Sequence, residues 1–97
     1  MRRCYLVCYD ICDPKRLNKV RRLMKGYGKF WQYSVYFCVL RAVDRVRMQA
    51  RLEQTMNLRE DRVVITDMGE DESVARESVC EVGQRLPKPP KHGVMVL

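Results

Sequence analysis

Apolar residues fill both sides of the first extended run. In Arg3-Cys4-Tyr5-Leu6-Val7-Cys8-Tyr9, Cys4, Leu6 and Cys8 fall on one side and Tyr5, Val7 and Tyr9 on the other. This β-branched and aromatic stretch predicts a strand over residues 3 to 9 with two apolar faces. Asp10 breaks the run. Asp13 then offers an N-cap and Pro14 suits the first helical turn. Leu17, Val20, Leu23, Met24 and Tyr27 recur at helical spacing, which predicts a helix to about Lys25. Lys15, Lys19, Arg21, Arg22 and Lys25 lie on its other side, and Gly26 and Gly28 read as its stop.

Residues 29 to 33 and 34 to 40 predict two further strands. The second is again apolar on both sides, with Val35, Phe37 and Val39 against Tyr36, Cys38 and Leu40. A second helix fits residues 41 to 56, with Ala42, Val43, Val46, Ala50, Leu52 and Met56 broadly on one side. Residues 62 to 68 predict a fourth strand and residues 70 to 82 a short helix. Pro87-Lys88-Pro89-Pro90-Lys91 reads as an extended linker, and residues 93 to 97 as a short apolar strand.

The order βαββαβ predicts an α+β ferredoxin-like sandwich, with two helices on one face of a four-stranded antiparallel sheet. Residues 1 to 68 form the expected core, and residues 69 to 97 a C-terminal extension. The face bearing Tyr5, Val7 and Tyr9 is expected to stay uncovered. An apolar face of that kind predicts an interface, here a two-fold homodimer packed sheet to sheet. The final strand is expected to pair with a sheet edge, either the partner's or its own.

Charge narrows the partners. The 97 residues carry 19 Lys and Arg against 12 Asp and Glu, giving +7 and a pI near 9.4. That balance points to nucleic acid or another polyanion, against the plainer reading of a basic solvated surface. The apolar content of 46% fits one folded domain. No segment is apolar for long enough to span a membrane, and no signal peptide is evident, so the expected location is cytoplasmic. Five cysteines, an odd number without a C-x-x-C pair, read as reduced thiols.

Asp10 is the first candidate for chemistry. A carboxylate suits a hard cation, magnesium or manganese. One is too few for a tight site, but a two-fold axis supplies a second. A cation there would polarise a phosphodiester and lower the pKa of a bound water. The competing reading makes Asp10 a turn residue that bonds nearby backbone N–H groups. Arg16 sits at the edge of the apolar stripe, placed to bind phosphate, to pair with Asp10, or simply to extend to solvent. Cys4, Cys8 and Cys12 are too far apart on a strand for one metal site, since four residues span about 13 Å. They read as buried packing residues. His92 is the only histidine, which gives triad or Cys/His catalysis little support. Neither a Walker nor a Rossmann glycine pattern is present. Strand aromatics Tyr5, Tyr9, Tyr33 and Phe37 allow an RNA-recognition module, but its basic-aromatic signature is missing.

Tyr5-Leu6-Val7-Cys8-Tyr9-Asp10-Ile11, Asp13 with Lys15-Arg16, Gly26-Tyr27-Gly28 and Gln32-Tyr33-Ser34-Val35-Tyr36, in that order, resemble the CRISPR-associated endoribonuclease "Cas-two" family. The resemblance spans roughly residues 3 to 68. It implies a ferredoxin-like homodimer that joins the CRISPR integrase subunit in spacer acquisition. It also implies a magnesium-dependent nuclease acting on single-stranded RNA or duplex DNA. The family's metal-binding, catalytic aspartate maps onto Asp10, and Tyr9 and Arg16 match positions that line its cleft. Two alternatives remain. One is a non-catalytic DNA-binding scaffold of the same complex; the other is a related toxin ribonuclease of the virulence-associated type.

Lys15, Arg16, Lys19, Arg21, Arg22 and Lys25 are the residues expected to hold the nucleic-acid backbone, with Arg2 and Arg3 helping. Neutralising Lys19, Arg22 and Lys25 together should flatten the slope of log affinity against log salt by about 2 to 3 units. Anisotropy titrations across a salt series measure it, and an unchanged slope would place the nucleic acid elsewhere.

Overall fold

A computed structural model describes residues 1–83. Its elements follow in the order β1 (Arg2–Asp10), α1 (Pro14–Lys25), β2 (Lys29–Gln32), β3 (Val35–Arg41), α2 (Ala42–Thr55), β4 (Arg62–Asp67) and α3 (Glu72–Glu77). The strands form one sheet in the order β2-β3-β1-β4, with antiparallel pairing throughout. This is the βαββαβ arrangement expected from the sequence. The expected Pro-rich linker and final strand lie outside the described residues. Among those described, no helix is long and apolar enough to cross a membrane.

Local sequence sets the element ends. Asp13 is the N-cap of α1, its Oδ2 accepting the Arg16 backbone N–H at 3.0 Å, and Pro14 opens the helix. Strands β2 and β3 join through Tyr33-Ser34, and Ser34 takes a positive φ of 62°. The Ser34 carbonyl accepts the Tyr9 N–H at 3.0 Å, which ties this hairpin to the end of β1.

The helices pack on the face opposite to the one expected. Tyr5, Val7 and Tyr9 point toward α1 and α2 and form the main core with Tyr36, Cys38, Leu40, Val20, Met24, Met48 and Leu52. Burying each such aliphatic side chain contributes about 1.5–3 kcal/mol. The second face carries Cys4, Leu6, Phe37 and Val39, partly covered by α3 through Ala75. Alternation alone could not choose between two apolar faces. Each face mixes sizes: Cys38 lies with Tyr5, Tyr9 and Tyr36 beneath the helices, and Phe37 and Trp31 lie with Cys4 on the other side.

Helix α2 also departs from expectation. Its buried residues are Met48 and Leu52, while Val43 is exposed and Val46 is 61% exposed. An unbranched methionine and the Arg45 stem, whose guanidinium lies 5.9 Å from the Tyr5 ring centroid, fill the interface instead. The cysteines likewise divide: Cys4 and Cys38 are buried, Cys8 is half-buried, and Cys12 and Cys80 are exposed. Burial pushes the Cys38 thiol up to about 11.

The two glycines after α1 serve different ends. Gly26 keeps a helical φ of −79° as the C-cap. Gly28 lies against β3, where an added Cβ would collide with the Cys38 sulfur and sit 2.7 Å from the Phe37 carbonyl oxygen. Gly28→Ala should therefore cost about 1–3 kcal/mol through overpacking, whereas Gly26→Ala, whose nearest contact is 3.4 Å away, should cost little. Urea denaturation compares the two. Equal losses would mean that helix termination, not close approach, is what Gly28 provides.

Candidate functional site

Asp10 ends β1 opposite Arg62 of β4 and is exposed. Strand alternation places it on the second face, with Leu6 and Cys8. Among the described residues that face is only partly covered. Leu6, Cys8, Trp31 and Val35 line a cavity of about 520 Å³ there, bordered by residues 79–83, and Val64 is exposed beside them. Farther along the face, α3 takes over. The Arg76 guanidinium sits 4.4 Å from the Phe37 ring centroid and 5.7 Å from that of Trp31. Arg76 also pairs with Glu72 at 3.1 Å.

Immediately after Asp10 the chain is pinned by a residue that the sequence reading passed over. Asp61, in the turn between α2 and β4, has a side chain with 0% exposure. Its Oδ1 accepts the Cys12 backbone N–H at 2.9 Å, and its Oδ2 accepts the Asn57 N–H at 2.8 Å. Arg16 closes the cluster, with Nε donating to Oδ2 at 2.8 Å and Nη2 to Oδ1 at 3.2 Å. This forked geometry is the strong form of a charge-assisted hydrogen bond. Nη2 also reaches Glu60 at 3.1 Å. The Arg16 hydrogen bonds hold the Asp61 carboxyl well below the usual carboxylate range, with the two N–H groups assisting against desolvation. The same contact raises Arg16 above its ordinary value.

Two expected site residues therefore change role. Arg16 does not pair with Asp10 and is not a free phosphate ligand; Asp61 and Glu60 occupy its guanidinium. Tyr9 does not line a cleft with Asp10. It is 6% exposed beneath the helices, its ring 6.3 Å from that of Tyr36. Burial raises its hydroxyl pKa, and the nearby Arg21 works in the opposite direction.

Lys15, Lys19, Arg21, Arg22 and Lys25 are all exposed on α1. None of them forms an ion pair among the described residues. They do not form one uniform face, since Arg21 is directed to Tyr9 while Lys19 and Arg22 line a groove toward α2. Arg3, an expected helper, is engaged by Asp67 at 3.0 Å and Glu70 at 3.3 Å.

Among the described residues no group of three His, Cys, Asp or Glu side chains could hold a metal ion. One chain offers the single Asp10 carboxylate, of the hard-donor type that magnesium or manganese prefers. The donor chemistry fits such an ion, and the donor number requires a second contributor.

Asp61 makes a linked prediction about stability. Its pKa is depressed in the folded chain, so its contribution is complete above the ordinary carboxylate value of about 4 and fades as pH falls below that value. Asp61→Asn should lower the melting temperature at pH 7 by more than Asp44→Asn, which removes a more exposed pair with Arg41. The deficit of Asp61→Asn should shrink as the pH is lowered below about 4. Thermal melts from pH 7 to pH 3 measure both effects, and equal losses for the two variants would remove Asp61 from its pinning role.

A family model described as CRISPR associated protein Cas2 matches residues 2–75. The CRISPR-associated endoribonuclease Cas2 2 of Thermodesulfovibrio yellowstonii is 45% identical over 87 residues, which cover 90% of this chain and 92% of that protein. The CRISPR-associated endoribonuclease Cas2 1 of Rhodospirillum rubrum is 40% identical over 84 residues, covering 84% and 82% respectively. Among solved structures, Streptococcus pyogenes Cas2 at pH 6.5 superposes with a TM-score of 0.72 at 28% identity, over 82% of this chain and 99% of that one. With a family model over most of its length and relatives at this identity, the chain belongs to the Cas2 family of CRISPR-associated proteins.

Proposed function

We propose that this chain works as a homodimer that binds nucleic acid in CRISPR adaptation alongside the CRISPR integrase subunit. In this reading it carries a metal-dependent phosphodiesterase site at the dimer axis. The observation that carries the reading is the position of Asp10: exposed, at a strand end, on the same face as a half-buried apolar patch of Leu6, Cys8, Trp31 and Val35. Two copies meeting through that patch would bring two Asp10 carboxylates toward one axis, supplying the second donor that a single chain lacks. The names of the relatives, both endoribonucleases, point to the same chemistry.

The work of the chain's own residues follows from their placement. The paired Asp10 carboxylates would hold magnesium or manganese. Asp61, through the Cys12 N–H, fixes the turn that follows Asp10. Lys15, Lys19, Arg22 and Lys25 hold phosphates by charge, chiefly setting affinity rather than sequence choice. When bound, the cation supplies Lewis-acid polarisation of a phosphodiester.

A second reading, the non-catalytic DNA scaffold, is favoured by one observation: no group of three metal-ligating side chains forms among the described residues, while five α1 cations stand exposed without an ion pair there. Cleavage of single-stranded RNA and of duplex DNA, with magnesium, with a chelator and with Asp10→Asn, separates the two. The nuclease reading expects chelator and Asp10→Asn each to reduce the rate by about 100-fold or more, with binding retained. Tight duplex binding without cleavage by the wild-type chain supports the scaffold. Cleavage that survives Asp10→Asn removes the proposed site.

A further inference from the structure

The groove between α1 and α2 lies on the outer layer of the molecule, on the far side of the sheet from Asp10. Its volume is about 690 Å³. Lys19 and Arg22 line it from α1, Arg51 and Gln54 from α2, and Tyr27 closes one end. No carboxylate lines it. Helix α1 contains no acidic residue at all. The acids of α2 are engaged elsewhere, Asp44 by Arg41 at 2.8 Å and Glu53 by Gln49 at 3.3 Å.

Three cations thus face one groove, and none of them has an ion-pair partner among the described residues. Gathering like charges costs stability unless an anion joins them. Helix polarity explains only part of the cluster. A cation in the last turn complements the helix dipole, and Arg22 is in the last turn of α1. Lys19 precedes that turn, and the last turn of α2 holds no basic residue, so Arg51 is not there to complement a helix end.

We infer that this groove is a second nucleic-acid contact, in which Lys19, Arg22 and Arg51 together hold the phosphodiester backbone. The inference rests on the nucleic-acid reading given above and adds Arg51 of α2 to it. Guanidinium groups suit phosphate because they donate two hydrogen bonds in a fixed fork. Gln54 and Tyr27 add neutral donors at the rim. The groove and Asp10 point to opposite sides of the sheet, so backbone held here is a positioning contact, separate from any reacting phosphodiester.

The test compares Arg51→Ala, Arg51→Lys and Arg59→Ala with the wild-type chain. Arg59 is exposed in the turn after α2 and does not line the groove, so its removal changes the net charge equally. Anisotropy titrations with a short DNA duplex and a single-stranded RNA are run across a salt series, with thermal melts to confirm folding. Arg51→Ala should reduce the salt slope by about 0.9 on duplex or about 0.7 on single strand. Arg51→Lys should keep the wild-type slope, and Arg59→Ala should change it by less than half as much as Arg51→Ala. Should Arg51→Ala unfold, Arg51→Gln carries the same expectation. If the wild-type chain binds but Arg51→Ala matches Arg59→Ala, the groove site is overturned and the wider reading stands. If the wild-type chain binds neither nucleic acid, both fall.

Discussion

One buried carboxylate organises the end of the sheet where Asp10 lies. The Asp61 side chain is shielded from solvent, yet it satisfies the N–H of Cys12, the N–H of Asn57 and the Arg16 guanidinium. These groups come from the turn after β1, the exit of α2 and the first turns of α1. Cys12 and Arg16 belong to one stretch of chain, the passage from β1 into α1, and Asn57 and Asp61 to another, far from it in sequence. A buried charge persists only when its lone pairs are filled and its partner is present. The two segments must therefore dock together or not at all. The geometry of the strand end follows from that shared acceptor rather than from Asp10 itself, which bears no comparable contact.

The sheet has two unequal faces. Beneath the helices, tyrosines, methionines and valines form a dry core around Val7, Val20, Met24 and Met48. On the other side, Cys4, Phe37 and Ala75 make a smaller cluster under α3, and the remainder is shallow and open. Charge is divided in the same way. Half of the twelve acids serve as partners for Arg3, Arg16, Arg41 and Arg76, while Lys15, Lys19, Arg21, Arg22 and Lys25 of α1 have no ion-pair partner among the described residues.

The element order was legible because local rules and packing agreed. The Asp13 cap, Pro14 and the Leu17–Val20–Met24 stripe all specify the same helix, and the fourth strand is a plain β-branched run. Face assignment was not legible, since a strand apolar on both sides carries no sign of which side the helices take. The stripe of α2 misled for a different reason. Val43 and Val46 are apolar by type but exposed, while Met48 and an arginine stem do the packing. At the site, Asp10 stood out because a carboxylate after an apolar strand is conspicuous. Asp61 did not, because an aspartate in a polar turn looks ordinary until its partners from distant segments are in place. Arg16 was misassigned through the same gap: its position was visible, but its partner was not.

The Arg76 stack on Phe37 and Trp31 also reaches beyond local packing. It pins a short helix as a steric mask over the part of the face that carries Cys4 and Phe37. Any large body settling there has its footprint forced off-centre, toward the strand terminus that bears the carboxylate. Loosening that single cation from its aromatic seat would widen the accessible landing area, and orientation would be lost before adhesion.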